Sequence, residues 1–283
     1  MRATHTPETT GVPDDAPPIL VLGATGSVGG RLDARLRNLG ARTRPAARHT
    51  AIPFDWDDHS TWEPALRGVR RMFLMAPDRV PVNPDLVALA ADLGVEHLLL
   101  LSSRAIDVIG DQRLLDAEDT VKESGTGWTI LRADWFDQNF DEGPFLDSVH
   151  AQELAMPMGD CRQTFVDLTD VAAVAAVILT TPATEHTRRT YEVTGPQALT
   201  FAEVCSIIGD TTGHPIEFHG EPESYRAAHT AFGRPAEEIE RELTAYAALR
   251  SLGDSKPLDT VLRLTGRPAR SFQEYAAGVT VWS

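Results

Sequence analysis

Three glycines near the start of the chain, Gly23, Gly26 and Gly29, stand as G-x-x-G-x-x-G inside "LVLGATGSVGGRLDARL". Glycines at this spacing between a strand and a helix let the backbone turn tightly and approach a diphosphate, which rests on the helix N-terminus. Thr25 and Ser27 add hydroxyl donors to the turn, and Val28 opens the helix. The chemistry served is dinucleotide binding. The flanks fit it, with an apolar run over Pro18–Gly23 before the turn and an amphipathic segment over Val28–Gly40 after it.

A domain that prefers NAD usually carries an acidic residue about twenty positions on, bonded to the ribose 2′-hydroxyl. Here Arg42, Arg44 and Arg48 stand in that region, Arg48 nineteen residues after Gly29. A guanidinium at the end of the second strand matches a 2′-phosphate, because its planar fork pairs with phosphate oxygens. NADP(H) is therefore expected over NAD(H). The plainer alternative is a solvated arginine on an edge strand.

Other chemistry is thinner. Ser102 and Ser103 end the apolar run "HLLLLSS"; Ser103 suits a hydrogen bond to a substrate carbonyl, or simply a cap on the strand end. Asp134, beside Trp135 and Phe136, suits a proton donor if buried, or a structural partner of Arg132. Trp135, Phe136, Phe140 and Phe145 suggest an apolar substrate wall, part of which is expected to be ordinary core. Glu118 and Lys122 form an i,i+4 pair, read either as a solvent-facing ion pair or as a proton relay. The nine histidines show no H-x-x-x-H or H-E-x-x-H spacing, and His97, opening an apolar run, reads as structural. No metal site is expected. No serine sits in G-x-S-x-G, so esterase chemistry has no support.

These groups need a frame. Apolar runs at Pro18–Gly23, Met72–Pro77, His97–Ser103 and Gly127–Arg132 alternate with helix-length segments, one of them starting at Asn83 as N-cap with Pro84 at N1. "ARTRPAAR" takes the place of the second strand although it is polar and holds Pro45. The alternation implies an α/β fold: a doubly wound parallel (Rossmann) sheet that binds ligands at the carboxyl ends of its strands. The expected division is a flexible tail over 1–17, a nucleotide domain over 18–194, and a smaller, mainly helical lobe over 195–283 joined by part of 135–165.

At this point the chain resembles the atypical, extended-type short-chain dehydrogenase/reductases, in particular their NmrA-like branch. The resemblance runs through "GATGSVGG", "FDWDD", "MFLMAP", "LLLLSS", "GWTILRADWFDQNF" and "QTFVDLTDVAAVAAVIL". The closing "LTGRPARSFQEYAAG" is similar to the branch that includes ergot-alkaloid-type reductases. It implies Gly23, Thr25, Gly26, Val28 and Gly29 at the diphosphate, Arg48 at the 2′-phosphate and Asp55 at the adenine. It further implies Ala76 and Pro77 at the nicotinamide ribose, Ser102 and Ser103 beside the nicotinamide, and Ala133, Asp134, Trp135, Phe136 and Asn139 on a substrate loop. The family carries Pro where this chain has Ala133. The short-chain enzymes' acid is Tyr-x-x-x-Lys, and here it is absent: the two lysines, Lys122 and Lys256, follow Glu118 and Leu252 by four residues.

A net charge of −15 disfavours nucleic acid and anionic membranes as partners and leaves a small molecule. Two cysteines, Cys161 and Cys205, and no apolar run of spanning length fit a cytoplasmic protein. The excess of Arg over Lys hints at a high-GC bacterium and secondary metabolism. Three functions follow as expectations: an NADPH-dependent reductase of an iminium, quinone or conjugated carbonyl; an NADP(H) redox sensor; and a non-redox isomerase or rearrangement catalyst. The sequence leaves the oligomeric state open.

Overall fold

A computed structural model describes residues 16–282. The tail expected over 1–17 therefore falls, but for Ala16 and Pro17, outside the described residues. The first half lays down β1 (Ile19–Leu22), α1 (Ser27–Asn38), β2 (Thr43–Ala47), β3 (Ile52–Pro53), α2 (Trp62–Leu66), β4 (Arg71–Leu74), α3 (Pro84–Asp92), β5 (His97–Ser103), α4 (Ile106–Ile109), α5 (Gln112–Lys122) and β6 (Gly127–Ala133). Then come β7 (Trp135–Phe136), α6 (Leu146–Ala151), β8 (Glu153–Ala155), β9 (Gln163–Val166), α7 (Leu168–Thr180), α8 (Ala183–His186) and β10 (Arg189–Val193). The remainder holds β11 (Ala198–Leu199), α9 (Phe201–Thr212), β12 (Glu217–His219), α10 (Pro222–Ala231), α11 (Ala236–Ser251), α12 (Thr260–Thr265) and α13 (Phe272–Ala276).

Seven strands form one parallel sheet in the order β10-β6-β5-β4-β1-β2-β3, the doubly wound arrangement. The order reverses between β1 and β4, so their carboxyl ends open a crevice. Pro45 sits within β2 because it lies opposite Val21 of β1, whereas β3 pairs only with Ala46 and Ala47. A missing N–H on that side breaks no ladder.

Helices cover both faces. Leu32 and Leu36 of α1 pack with the apolar α7 against Val21, Phe73, Leu99 and Leu131. Trp62, Leu86, Ala90 and Val121 pack on the opposite face against Leu20, Leu74, Leu98 and Leu100. Asn83 caps α3 by accepting from the Asp85 N–H at 2.9 Å, with Pro84 following it. A third core joins Phe140, Phe165, Phe201, Tyr225, Leu243 and Phe272, tying the mainly helical C-terminal region to the loop after β6. The helix α12 had no counterpart in the sequence reading.

Candidate active site

The glycine turn joins β1 to α1 as the spacing implies. Gly23 has φ +68°, where a side chain is strained, and Met75 lies across it. Gly29 is the tighter constraint. A Cβ there would stand 2.3 Å from the Gly23 carbonyl oxygen and 3.1 Å from Ala24 Cα, so only glycine lets α1 close on the turn. Gly26 is the N-cap, and the Gly30 N–H is the first to bond back, to the Gly26 carbonyl at 2.9 Å. The amides of Ser27 and Val28 precede that bond and point out of the helix start, the geometry that receives an anion.

The Ser27 hydroxyl is already engaged. It donates to Glu142 Oε2 at 2.5 Å, and the Arg31 fork closes on the same carboxylate. The loop after β7 is thereby clasped to the first turn of α1 by a pair of zero net charge. Of the three arginines after the turn, Arg44 binds the Ala65 and Arg67 carbonyls and Arg42 reaches back to the Ala16 carbonyl. Arg48 lies exposed just past the carboxyl end of β2, with no carboxylate within 4.0 Å among the described residues. Asp55 follows β3 and folds its own loop, accepting from the Asp57 N–H at 3.1 Å. Ala76 and Pro77 follow β4; Ala76 lines the cleft described next and Pro77 is exposed at its edge.

That cleft, about 730 Å³, lies over the carboxyl ends of β4, β5 and β6 and beneath the last turns of α11. Ser102, Ser103, Asp134, Trp135, Phe136 and Asn139 all line it. Ser102 turns its hydroxyl away, donating to buried Glu118 at 2.8 Å. Ser103 makes only a long bond of 3.3 Å to the Arg104 carbonyl and borders the cavity. Trp135 lies nearly parallel to Tyr246 with centroids 6.3 Å apart. The expected aromatic wall divides: Trp135 and Phe136 face the cleft, whereas Phe140, 1% exposed, belongs to the core.

Two expected ion pairs are differently arranged. Asp134, just past the end of β6, pairs with Arg104 at 2.9 Å and not with Arg132, whose guanidinium is already taken by Glu118 and Asp107. Asp134 also accepts from Thr164, from Ser255 at 3.2 Å, and from the Trp135 N–H at 3.0 Å. Both its oxygens are thus occupied as acceptors. Glu118 is no solvent-facing partner of Lys122: it is 1% exposed, and the Arg132 fork holds it with two contacts of 2.8 Å. Burial alone would raise the Glu118 carboxyl, but hydrogen bonds from Arg132, Ser102 and Lys122 hold it below the usual range.

Sequence reasoning missed the centre of this network. Arg104 lies between β5 and α4 and reaches Asp134, Glu192 at 3.0 Å and Ser255 at 2.5 Å. The next residue, Ala105, holds φ +59°, a left-handed conformation uncommon outside glycine. Asp137, just after β7, is fully buried with neither carboxylate oxygen hydrogen-bonded within the protein. Its burial, reinforced by Asp167 and Asp170, pushes its carboxyl well above the ordinary range. No group of three or more metal-ligating side chains occurs among the described residues.

The sequence pattern of the NmrA-like family matches residues 16–275. The chain belongs to the NmrA-like family. It is 31% identical over 281 residues to the NAD(P)H azoreductase of Xenophilus azovorans, covering 91% of this chain and 96% of that protein. It is 35% identical over 280 residues to a Streptomyces griseus reductase, covering 92% and 96%. That relative is named for its substrate, a (4-alkanoyl-5-oxo-2,5-dihydrofuran-3-yl)methyl phosphate. Among solved folds, the NADPH complex of an Escherichia coli NADPH-dependent quinone oxidoreductase superposes with a TM-score of 0.77. That match has 20% identity and covers 91% of this chain and 98% of the other.

Proposed function

We propose that this NmrA-like protein is an NADPH-dependent reductase of a small, ring-bearing acceptor: an azo compound, a quinone or a conjugated carbonyl. The observation that carries the reading is a glycine turn closed to side chains at Gly29, set beside an aromatic-walled cleft at the ends of β4, β5 and β6. The azo- and butenolide-reducing relatives, matched along nearly their whole length, support the acceptor class. A cytoplasmic setting and a place in secondary metabolism belong to the same reading.

Each residue then has a task. The amides of Ser27 and Val28 receive the diphosphate, with Gly23, Thr25, Gly26 and Gly29 shaping the turn. Arg48 meets the 2′-phosphate, Asp55 the adenine edge, and Ala76 and Pro77 border the nicotinamide ribose. NADPH, when bound, supplies a hydride. Trp135 and Phe136 hold the acceptor ring flat and exclude water, Asn139 fixes its polar edge, and the Ser103 hydroxyl donates to its oxygen or nitrogen. Asp134, its oxygens occupied, braces the floor through Arg104 and does not act as the proton donor. Without Tyr-x-x-x-Lys the cleft favours polarised acceptors, for which positioning does most of the catalysis.

Calorimetric titration with NADPH, NADP⁺ and NADH, using Arg48→Ala as control, tests the cofactor. NADPH is expected to bind tightest, and Arg48→Ala to weaken it by about 1.5–3 kcal/mol with NADH unaffected. Turnover of an azo dye, a quinone or a conjugated lactone completes the case. A strong preference for NADP⁺ with no turnover would replace the reading by a redox sensor. No binding of any of the three would leave a non-redox catalyst.

A further inference from the structure

Reducing such an acceptor adds one hydride and one proton, and the cleft's protic groups are nearly all engaged. Ser102 donates to Glu118 and Ser255 to Asp134. Tyr246 packs edge-on against Tyr225 with ring centroids 5.5 Å apart, and burial pushes its phenol up so that it holds its proton. The Tyr225 hydroxyl donates to Glu242 at 2.6 Å, away from the cleft. Arg104 and Arg113 do not release protons, because guanidinium stays charged in proteins. Ser103 can orient an acceptor, but no base or acid stands behind it to recharge its hydroxyl; its one bond is to the Arg104 carbonyl.

Lys256 is the exception. It lines the cleft, and no carboxylate lies within 4.0 Å of its ammonium among the described residues. The other lysine, Lys122, is held by Glu118 and Asp119. Of the carboxylates lining the cleft, Asp134 and Glu192 share Arg104, and Asp254 accepts the Arg162 N–H at 2.9 Å. The backbone carrying Lys256 is fixed on both sides. The Ser255 N–H bonds the Arg162 carbonyl at 2.8 Å, and the Leu258 N–H bonds Thr194 Oγ1 at 2.8 Å. Through its hydroxyl, Ser255 also bonds Arg104, the residue that follows Ser103 at the end of β5. A cation without an internal partner is therefore held on a rigid tether beside the strand ends.

We propose that Lys256 is the proton donor of the reduction, an inference that rests on the reductase reading above. Two electrons and one hydrogen reach the acceptor as hydride from the dihydronicotinamide, which is oxidised to the nicotinamide. Negative charge develops on the acceptor's oxygen or nitrogen. An N–H bond of the Lys256 ammonium breaks as that atom takes the proton, and the resulting amine, open to solvent, regains a proton from water. Ser103 orients the same atom. Sum and charge balance: acceptor, NADPH and one proton give reduced acceptor and NADP⁺.

The test compares Lys256→Ala with Lys256→Arg, using methyl red and menadione as acceptors. Lys256→Ala is expected to lower kcat by about 100-fold or more while calorimetry shows NADPH affinity unchanged. Added ethylammonium is expected to restore turnover in that variant. Lys256→Arg keeps the charge but holds its protons, so it is expected to stay slow. In NADP⁺-loaded wild-type protein, methyl red is expected to slow acetylation of Lys256 by acetic anhydride, read by mass spectrometry. Full activity in Lys256→Ala, full activity in Lys256→Arg, or no protection would each overturn the assignment and leave the reductase reading standing. A wild-type protein that binds NADPH but reduces neither acceptor would overturn the reductase reading itself, and the proton step with it.

Discussion

The nucleotide side and the acceptor side of this molecule meet along the same strand ends but are built from different material. The nucleotide side is mostly backbone: a left-handed Gly23, a helix start with outward amides, and a Gly29 that admits no Cβ. The acceptor side is side chains gathered from afar. Arg104, Asp134, Thr164, Glu192 and Ser255 come from five separate stretches and hold one another at hydrogen-bond distance. A backbone site is local and tolerates drift elsewhere in the chain. A side-chain site depends on every element that contributes to it, and it can be retuned one residue at a time.

Three experiments press on that contrast. Gly29→Ala should strike hardest: with backbone 2.3 Å from the new Cβ, overpacking is expected to cost about 3 kcal/mol or more and to abolish nucleotide binding. Thermal unfolding and calorimetry check both; a stable variant that still binds NADPH would refute the backbone account. Arg104→Met should come next, leaving Asp134 and Glu192 without their shared cation. Roughly 3 kcal/mol of stability is expected to go, with acceptor KM rising while NADPH affinity holds. Equal loss at both sites would show that the two sides are not separable.

The smallest effect concerns the far end of β5, which both sides share. His97 is fully buried, its Nε2 bonded to Thr129 at 2.8 Å, and burial, helped by Arg71 and His186, pushes its imidazole down to about 4. Between that value and the ordinary 6.5 the unfolded chain binds the extra proton, so stability is full above pH 6.5 and lost as pH falls toward 4. At pH 5 the loss is about 2 kcal/mol relative to pH 7. Denaturant midpoints across this range, with His97→Leu as control, should show a wild-type slope that the variant lacks.

The same contrast explains what was legible in the sequence. The turn, the alternation of strands and helices, the Asn83 cap and the candidate cleft residues of the strand ends could be read because each depends on neighbours within a few positions. Pro45 obscured β2 because whether a neighbouring strand reaches a given residue is a property of the sheet and not of the segment: β3 pairs only with Ala46 and Ala47. Arg104 and Ser255 carried no signal, being an ordinary arginine and serine until the fold brings them within 2.5 Å. Asp134 was read as a partner of Arg132 from its place two residues on, and Glu118 as solvent-facing by its spacing from Lys122. The inner face of α5, which sequence spacing alone did not give, buries Glu118 and draws the Arg132 fork to it as well as Lys122, and Asp134, past the end of β6, is left to Arg104.

The clasp between Glu142 and the start of α1 gives the protein a sensitivity to ionic strength. Its two ends are about a third exposed, 31% for Arg31 and 34% for Glu142, so dissolved ions reach them. Near 1 M salt, charges are screened beyond about 3 Å. The loop that carries the acceptor wall is then held to the nucleotide turn by little more than the Ser27 hydroxyl, and exchange of whatever lies beneath it should quicken as salt is raised.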